Sequence, residues 1–294
     1  MNKGVIYAAA AYVLWGFFPI YFKALSGVPA FQIMTHRVVW CFWVVAILLL
    51  ALRELAALKA TITKRTLLIY LGAGVLLAIN WVVYVWGVNA GYVLETSLGY
   101  FINPLVSVSL GVIFLHERLR PLQWLPVGLA AAGVIYLTIS YGTLPWVALV
   151  LAFSFGFYGL VKKVAPLGSL HGLALETATI LLPSLAFLLV EEMRGVGAFG
   201  HASVGTTVLL ALTGVVTAVP LLLFSSGARL VPLSTLGLLQ YIAPTLQFFI
   251  GVFLYNEPFT RERLIGFGII WLALLIFSTE GFLERRRALS AGAA

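Results

Sequence analysis

Ten stretches of this chain stay apolar for about as long as a bilayer is thick: 4–25, 30–52, 66–88, 93–115, 121–141, 143–162, 170–193, 205–227, 232–255 and 263–283. A helix needs about 20 apolar residues to cross roughly 30 Å of hydrocarbon. The strands of a membrane barrel are shorter and alternate in polarity, whereas these runs are apolar on every side. Composition agrees: of the 294 residues, 62% are AVILMFWYC, 10% are charged and Asp is absent, with a mean hydropathy of +1.06. A soluble domain is closer to half apolar and about a quarter charged, so that class is excluded, along with disordered chains and disulfide scaffolds. Cys41, the single cysteine, sits inside an apolar run and leaves neither an internal disulfide nor a zinc cluster. The expected fold is an all-α integral membrane protein of ten transmembrane helices. The first run is too long for a cleavable signal and ends in Tyr21-Phe22-Lys23 rather than in small residues.

The net charge of +8 would suggest nucleic acid only if the cations clustered on one face. Here they fall mostly between the apolar runs. Ten spans put both termini on one side. With that side cytoplasmic, thirteen cations lie inside (Lys3, Arg53, Lys59, Lys64, Arg65, Arg118, Arg120, Lys162, Lys163, Arg229 and Arg285 to Arg287). Five lie outside: Lys23, Arg37, Arg194, Arg261 and Arg263. This is the positive-inside bias of a multi-pass protein. The longest inner connection, 53–65, reads as a short surface helix. No extramembrane segment is large enough to fold by itself, so any activity resides among the helices. Enzyme motifs are absent: His116-Glu117 continues into Arg118-Leu119-Arg120, Gly72-Ala73-Gly74 and Gly266-Phe267-Gly268 lack a third glycine, and there is no P-loop. Neither catalytic residues, nor a metal, nor a cofactor, nor a nucleic-acid partner is expected.

The two halves align at one constant offset of 140 residues. Gly16 matches Gly156, Lys23 matches Lys163, Gly74 matches Gly214 and Ala78 matches Ala218. Gly87 matches Gly227, Ile102 matches Ile242, Pro104 matches Pro244, Gly111 matches Gly251, Glu117 matches Glu257 and Gly128 matches Gly268. Each identity alone is weak, but an ungapped register from the first span to the tenth is not. Five spans per copy is odd, so the second copy enters the membrane upside down. The expected units are residues 1–141 and 142–294. Inverted repeats are characteristic of secondary transporters, which bind substrate near midplane where the copies meet and alternate access by rocking.

Polar side chains are costly in hydrocarbon and normally face a cavity or another helix. Thr96, Tyr100, Asn103 and Ser107 form one stripe on the fourth span. Pro104 there, and Pro244 in the ninth span, each remove a donor and free a carbonyl one turn earlier, at Tyr100 and Gln240. Gln240 and Gln247 are the repeat counterparts of Tyr100 and Ser107. The stripe suits a cavity wall; it also suits polar glue between helices. Asn80, Tyr84 and Gly87 share a face of the third span beside Trp81, and the first span carries Trp15 and Gly16 near its middle, matched by Phe155, Gly156 and Tyr158 in the sixth. Such aromatics lie away from the interfacial belts. A cavity of this kind suits an amphipathic or aromatic molecule and lacks the clustered Arg and Lys that a phosphate needs.

Ionisable groups in or near the spans are few: Lys23, His36, Arg37, Glu95, Lys163 and Glu176. The two lysines lie at helix ends and can snorkel, and Glu95 lies near the outer surface. His36, Arg37 and Glu176 sit deeper and are the candidates for proton coupling, the competing role being to hold helix ends together. Gly128, Ala132 and Gly133 allow close approach on the fifth span, so a monomer or a weak homodimer is expected.

These residues resemble the drug/metabolite transporter superfamily, in its EamA-type group and its RarD branch. The resembling stretches are Tyr12-x-x-Trp15-Gly16-x-x-Pro19-x-Tyr21-x-Lys23, His36-Arg37-x-x-Trp40, Asn80-Trp81-x-x-Tyr84-x-Trp86 and Ser97-Leu98-Gly99-Tyr100-Phe101-Ile102-Asn103-Pro104-Leu105. Further along come Glu117-Arg118-Leu119, Tyr158-Gly159-x-x-Lys162-Lys163, Gln240-Tyr241-Ile242-x-Pro244-Thr245 and Glu257. The resemblance implies a bacterial inner-membrane exporter of small metabolites, amino acids among them, with a cavity lined chiefly by spans 1, 3, 4, 6, 8 and 9. An association of the branch with chloramphenicol sensitivity implies efflux of hydrophobic drugs as an alternative. A scaffold without transport is the reading from another class. The second half has Ala243 where the first has Asn103, so the halves cannot contact substrate identically. On this reading Trp15, Asn80, Tyr84, Tyr100, Asn103, Tyr158, Gln240 and Tyr241 line the site, with bends at Pro104 and Pro244. Asn103→Ala and Gln240→Ala should therefore impair transport in proteoliposomes while folding stays intact; wild-type uptake in both would remove these helices from the site.

Overall fold

The structure, a computed structural model, describes residues 3–90, 93–141 and 145–256, together with 261, 264–266, 268–269, 271–273, 275–277 and 279–280. Every regular element among the described residues is helical. Helix α1 (Lys3–Gly16) continues into the short α2 (Phe18–Lys23), and α3 (Ala30–Ala51) returns. The small α4 (Leu55–Thr61) occupies the connection expected to hold a surface helix, followed by α5 (Lys64–Asn89), α6 (Val93–Leu115) and α7 (Pro121–Tyr141). The second half contains α8 (Trp146–Val164), α9 (Ser169–Met193), α10 (Val204–Leu230), α11 (Leu233–Gln240) and α12 (Ile242–Phe249), which ends in a π-helical turn at Ile250–Leu254. Among the described residues eight helical stretches are long and apolar enough to cross a membrane. Two shorter apolar stretches, Pro121–Tyr136 and Leu264–Phe277, fall where the fifth and tenth spans are expected, the second running partly over residues outside the description. Glu257, Arg263 and Arg285 to Arg287 also lie outside the described residues.

Two crossings are broken, and proline accounts for both. A proline has no N–H for the carbonyl four residues back, and its ring crowds that carbonyl. Pro19 therefore ends the ladder of α1 at Gly16, and the chain resumes as α2 with the proline in its first turn, where a missing donor costs nothing. Pro244 does the same in the ninth span, where α11 stops at Gln240 and α12 resumes at Ile242. Pro104 behaves differently. Helix α6 runs through it without interruption. Its neighbours α8 and α11 pack along it, and a Cβ on Gly237 of α11 would lie 2.7 Å from the Pro104 carbonyl oxygen. Close packing by neighbouring helices is how membrane helices tolerate an interior proline.

The packing follows the register read from the sequence. Helix α6 packs on α8 and α11, and α1 on α10 and on α11–α12, while α3 packs on α9 and α10, and α5 on α8 and α9. Shifted by 140 residues, α6 on α8 corresponds to α11–α12 on α1, α1 on α10 to α8 on α5, and α3 on α10 to α9 on α5. The correspondence reaches single atoms. A Cβ on Gly16 would lie 2.6 Å from Leu246, and one on Gly156 would lie 2.7 Å from Val106; these are the same contact moved by one repeat. His116 and Asn256, also 140 apart, both take the left-handed backbone, at φ 52° and 53°, which is uncommon outside glycine. Helices α5 and α10 begin at 64 and 204, and α6 and α11 at 93 and 233. Among the described residues the symmetry fails around α8, which packs on α10 and touches α11, whereas α1 has no comparable contact with α5 or α6.

Close approach depends on glycine where backbone meets backbone. A Cβ on Gly214 of α10 would sit 2.5 Å from both the carbonyl carbon and the oxygen of Trp40, atoms that cannot rotate away. On Gly128 of α7 it would meet nothing within 4 Å, so Gly128 itself serves no close approach among the described residues. Gly214→Ala should cost about 1–3 kcal/mol through overpacking and lower the thermal midpoint in detergent. Gly128→Ala should leave it unchanged or raise it by up to about 1 kcal/mol, the difference in helix propensity.

Candidate functional site

Helices from both halves bring apolar, aromatic and a few polar side chains to a cavity of about 250 Å³. Tyr12, Trp15, Phe18, Pro19 and Phe22 come from α1–α2; Leu77, Asn80, Trp81 and Tyr84 come from α5; Gly99, Tyr100 and Asn103 come from α6. Leu151 and Phe155 of α8, Leu221 of α10, and Gln240, Ala243, Pro244 and Gln247 of α11–α12 complete the wall with Arg37 of α3. The structure thus brings together Trp15, Asn80, Tyr84, Tyr100, Asn103, Gln240 and Pro244. It leaves two expected residues out. Tyr158 is buried, its ring stacked on Phe224 at 5.9 Å and its hydroxyl donating to Glu176 Oε2 at 3.1 Å. Tyr241 is also buried and donates to the Phe101 carbonyl at 3.1 Å. A phenol in an apolar interior needs a partner for its hydroxyl, and both find it away from the cavity. Pro104 likewise stands off the wall, against α11.

The polar groups of the wall have distinct tasks. Gln247 Nε2 donates to the Trp15 carbonyl at 3.0 Å, the carbonyl that Pro19 cannot serve. Asn80 Nδ2 donates to the Leu151 carbonyl at 2.9 Å and meets Ser154 Oγ at 3.0 Å, tying α5 to α8. Asn103 Oδ1 accepts weakly from Ser107 at 3.5 Å. Among the stripe residues, Thr96 and Ser107 are buried off the wall, while Tyr100 is 36% exposed and pairs with Tyr84 at 5.9 Å between rings. Trp15 packs at 5.7 Å from its own repeat counterpart Phe155.

Arg37 brings in the second span, which the resemblance leaves out of the lining. Its Nε donates to Thr217 Oγ1 at 3.1 Å. Its guanidinium lies 4.7 Å from the ring centre of Trp81, 5.1 Å from that of Phe22 and 5.5 Å from that of Phe18, within the range of cation–π attraction. Among the described residues no Asp or Glu lines the cavity.

The opposite end of the bundle, where α5 and α11 begin and α6, α8 and α10 end, is held by charges. Lys162 and Glu176, 3% and 0% exposed, pair at 2.8 Å. Tyr70 Oη accepts from the Leu167 amide at 2.9 Å, and Arg229 donates to the carbonyls of Ala165 and Leu167. Lys163 donates to the carbonyls of Ala228 and Val231. Glu117 accepts from the amides of Leu233 and Ser234 at 2.6 and 2.9 Å, serving the open donors at the start of α11. The three residues considered for proton coupling are thus separate: Arg37 on the cavity, Glu176 in this network, and His36 buried against Phe199 at 5.3 Å with Nδ1 unpartnered among the described residues. The sequence reading counts Lys162 only as an inner-end cation and part of a resembling stretch, without a buried partner, because cations at that end ordinarily snorkel.

A model of the EamA-like transporter family, within the drug/metabolite transporter superfamily, matches residues 2–139 and, a second time, residues 144–279. The chain belongs to that family. Relatives include an uncharacterized transporter, YojE, of Bacillus subtilis, 49% identical over 94% of each chain. Protein RarD of Streptomyces exfoliatus is 45% identical, over 98% of this chain and 91% of its own. The chloramphenicol-sensitive protein RarD of Pseudomonas aeruginosa is 32% identical over 94% and 93%. One protein of known crystal structure shares the fold at a TM-score of 0.73 over 97% of this chain and 99% of its own, with 18% identity. This is a multi-pass membrane transporter with bacterial relatives, and its substrates are small molecules.

In this EamA-like transporter the Lys162–Glu176 pair is a fixed structural cost unless both charges stay together. Removing one partner of a buried pair costs about 3–5 kcal/mol because the other charge is left bare. Lys162→Met and Glu176→Gln should each lower the thermal midpoint in detergent strongly, and the double variant should recover much of the loss. Additive losses would mean that the two do not act as a pair.

Proposed function

We propose that this chain is a secondary transporter of the bacterial inner membrane that exports small metabolites, neutral or aromatic amino acids first among them, by alternating access. The observation that carries the reading is a cavity built from both halves of the chain, aromatic-walled and nearly uncharged, with the other end of the bundle bonded shut. Support for two inverted five-helix units, 1–141 and 142–294, comes from the helix contacts that repeat at 140 residues and from the left-handed pair His116 and Asn256. The cation-rich end is cytoplasmic by the positive-inside rule, as are both termini, so the cavity faces outward. Exchange of conformation between the halves then reverses access. The stacked Tyr158 and Phe224 are the repeat counterparts of Phe18 and Tyr84, which both line the cavity unstacked. On exchange the first pair parts and the second closes.

Efflux of hydrophobic drugs is the second reading. The aromatic wall favours it, and so does the printed name of the Pseudomonas aeruginosa relative. Counterflow in proteoliposomes separates the two. Labelled aromatic amino acids should exchange in wild type, with competition by unlabelled amino acids and little by chloramphenicol. The reverse ranking supports the drug reading, and no flux of either, nor of a pooled metabolite mixture, supports a scaffold. The same assay with and without a pH gradient tests coupling: acceleration by the gradient in wild type and its loss in Glu176→Gln would assign the proton to Glu176 rather than to His36 or Arg37.

A further inference from the structure

Among the described residues Arg37 is the one charged side chain lining the cavity, and no carboxylate joins it there. A guanidinium offers five N–H donors. Thr217 takes the Nε donor, and the two terminal amino groups have no hydrogen-bond partner among the described residues. They are also not sealed off, because they retain access to the cavity. A cation in an apolar interior is costly unless it is paired or turned towards a polar path. The rings of Trp81, Phe22 and Phe18 offset part of that cost, but they supply no hydrogen-bond acceptor.

We infer that Arg37 binds the carboxylate of the substrate, so that the transported class is small carboxylates with an apolar or aromatic body. The inference rests on reading this cavity as the substrate site. The planar fork of an arginine matches the two oxygens of a carboxylate, and Thr217 holds the fork from its Nε side so that the terminal donors point into the cavity. The aromatic wall on Trp81, Tyr84, Tyr100 and Trp15 takes the body of the molecule. A single cation suits a single negative charge, and a phosphate ester would bring a second charge with no partner. An ammonium group on the substrate meets neutral acceptors only, such as Asn103, so the carboxylate dominates recognition. A neutral drug can offer Arg37 hydrogen-bond acceptors but no opposite charge.

The test is calorimetric titration of the purified full chain in detergent with L-phenylalanine, 3-phenylpropanoate and L-phenylalaninamide. The two carboxylates should bind wild type about 10- to 100-fold more tightly than the amide, the range for hydrogen bonds to a charged group. Arg37→Met should lose that preference, and Arg37→Lys should keep part of it. Equal binding of acid and amide to wild type would overturn the inference, as would an undiminished preference in Arg37→Met. Should the methionine variant fail to fold, the wild-type comparison decides alone. Binding is read without flux, so carboxylate preference without counterflow would retain Arg37's role and reject transport, whereas counterflow without carboxylate preference would do the opposite.

Discussion

Inside a bilayer every backbone donor and acceptor must find its partner within the protein, because hydrocarbon offers none. Pro19 breaks that rule for Trp15, and Gln247, more than two hundred residues away, restores it. That one bond fixes α12 against the bent end of α1, at the level where Gly16 lets Leu246 approach. The bend carries Phe18 and Phe22 outward while Trp15 stays within the aromatic group. The shape of the cavity follows from where the ladder is broken and which side chain repairs it. Pro244 breaks the ladder again on the facing crossing, and α6, with its own proline, stays continuous between α8 and α11.

Charge is handled as strictly as backbone. At the cation-rich end each deep charge has a partner: Lys162 on Glu176, Arg229 and Lys163 on helix-end carbonyls, Glu117 on the first amides of α11. These bonds join segments that short loops would otherwise leave free to separate. Arg37 is treated differently, held by a hydroxyl and aromatic rings and turned to the cavity. Structural charges in this protein are closed off by the protein; the charge at the cavity is left for something else.

The architecture was legible in sequence because lipid imposes a length and duplication imposes a period. The 140-residue offset anticipated where α5 and α10, and α6 and α11, begin, and it reappears in the Gly16–Leu246 and Gly156–Val106 contacts. Side-chain direction was harder to read. In water an apolar stripe points to the core, but a helix apolar all round has no such pointer, so Tyr158 and Tyr241 could not be told from Tyr84 and Tyr100 by position. Their buried partners, Glu176 and the Phe101 carbonyl, lie across helix interfaces that spacing along one helix does not reveal. Lys162 shared the same obscurity. Its neighbour Lys163 reaches carbonyls at the helix end, while Lys162, about 100° further round the helix, turns inward to Glu176.

The mismatch between the two closures has an energetic consequence. Lys162 and Glu176, which hold the cation-rich end, are the repeat counterparts of Phe22 and His36. Under the proposed exchange one mouth is therefore latched by an ion pair and the other mainly by aromatic rings, with the single charge of Arg37 beside them. Water entering the first mouth solvates two charges and so recovers part of what is lost when they separate; water entering the second wets mostly apolar surface and recovers less. The two half-cycles thus lean on different terms, one on the hydration of an ion pair and the other on the hydrophobic effect and its dependence on temperature. Under that exchange, two halves related by the 140-residue offset but unlike in these residues acquire a preferred resting side from this difference in glue.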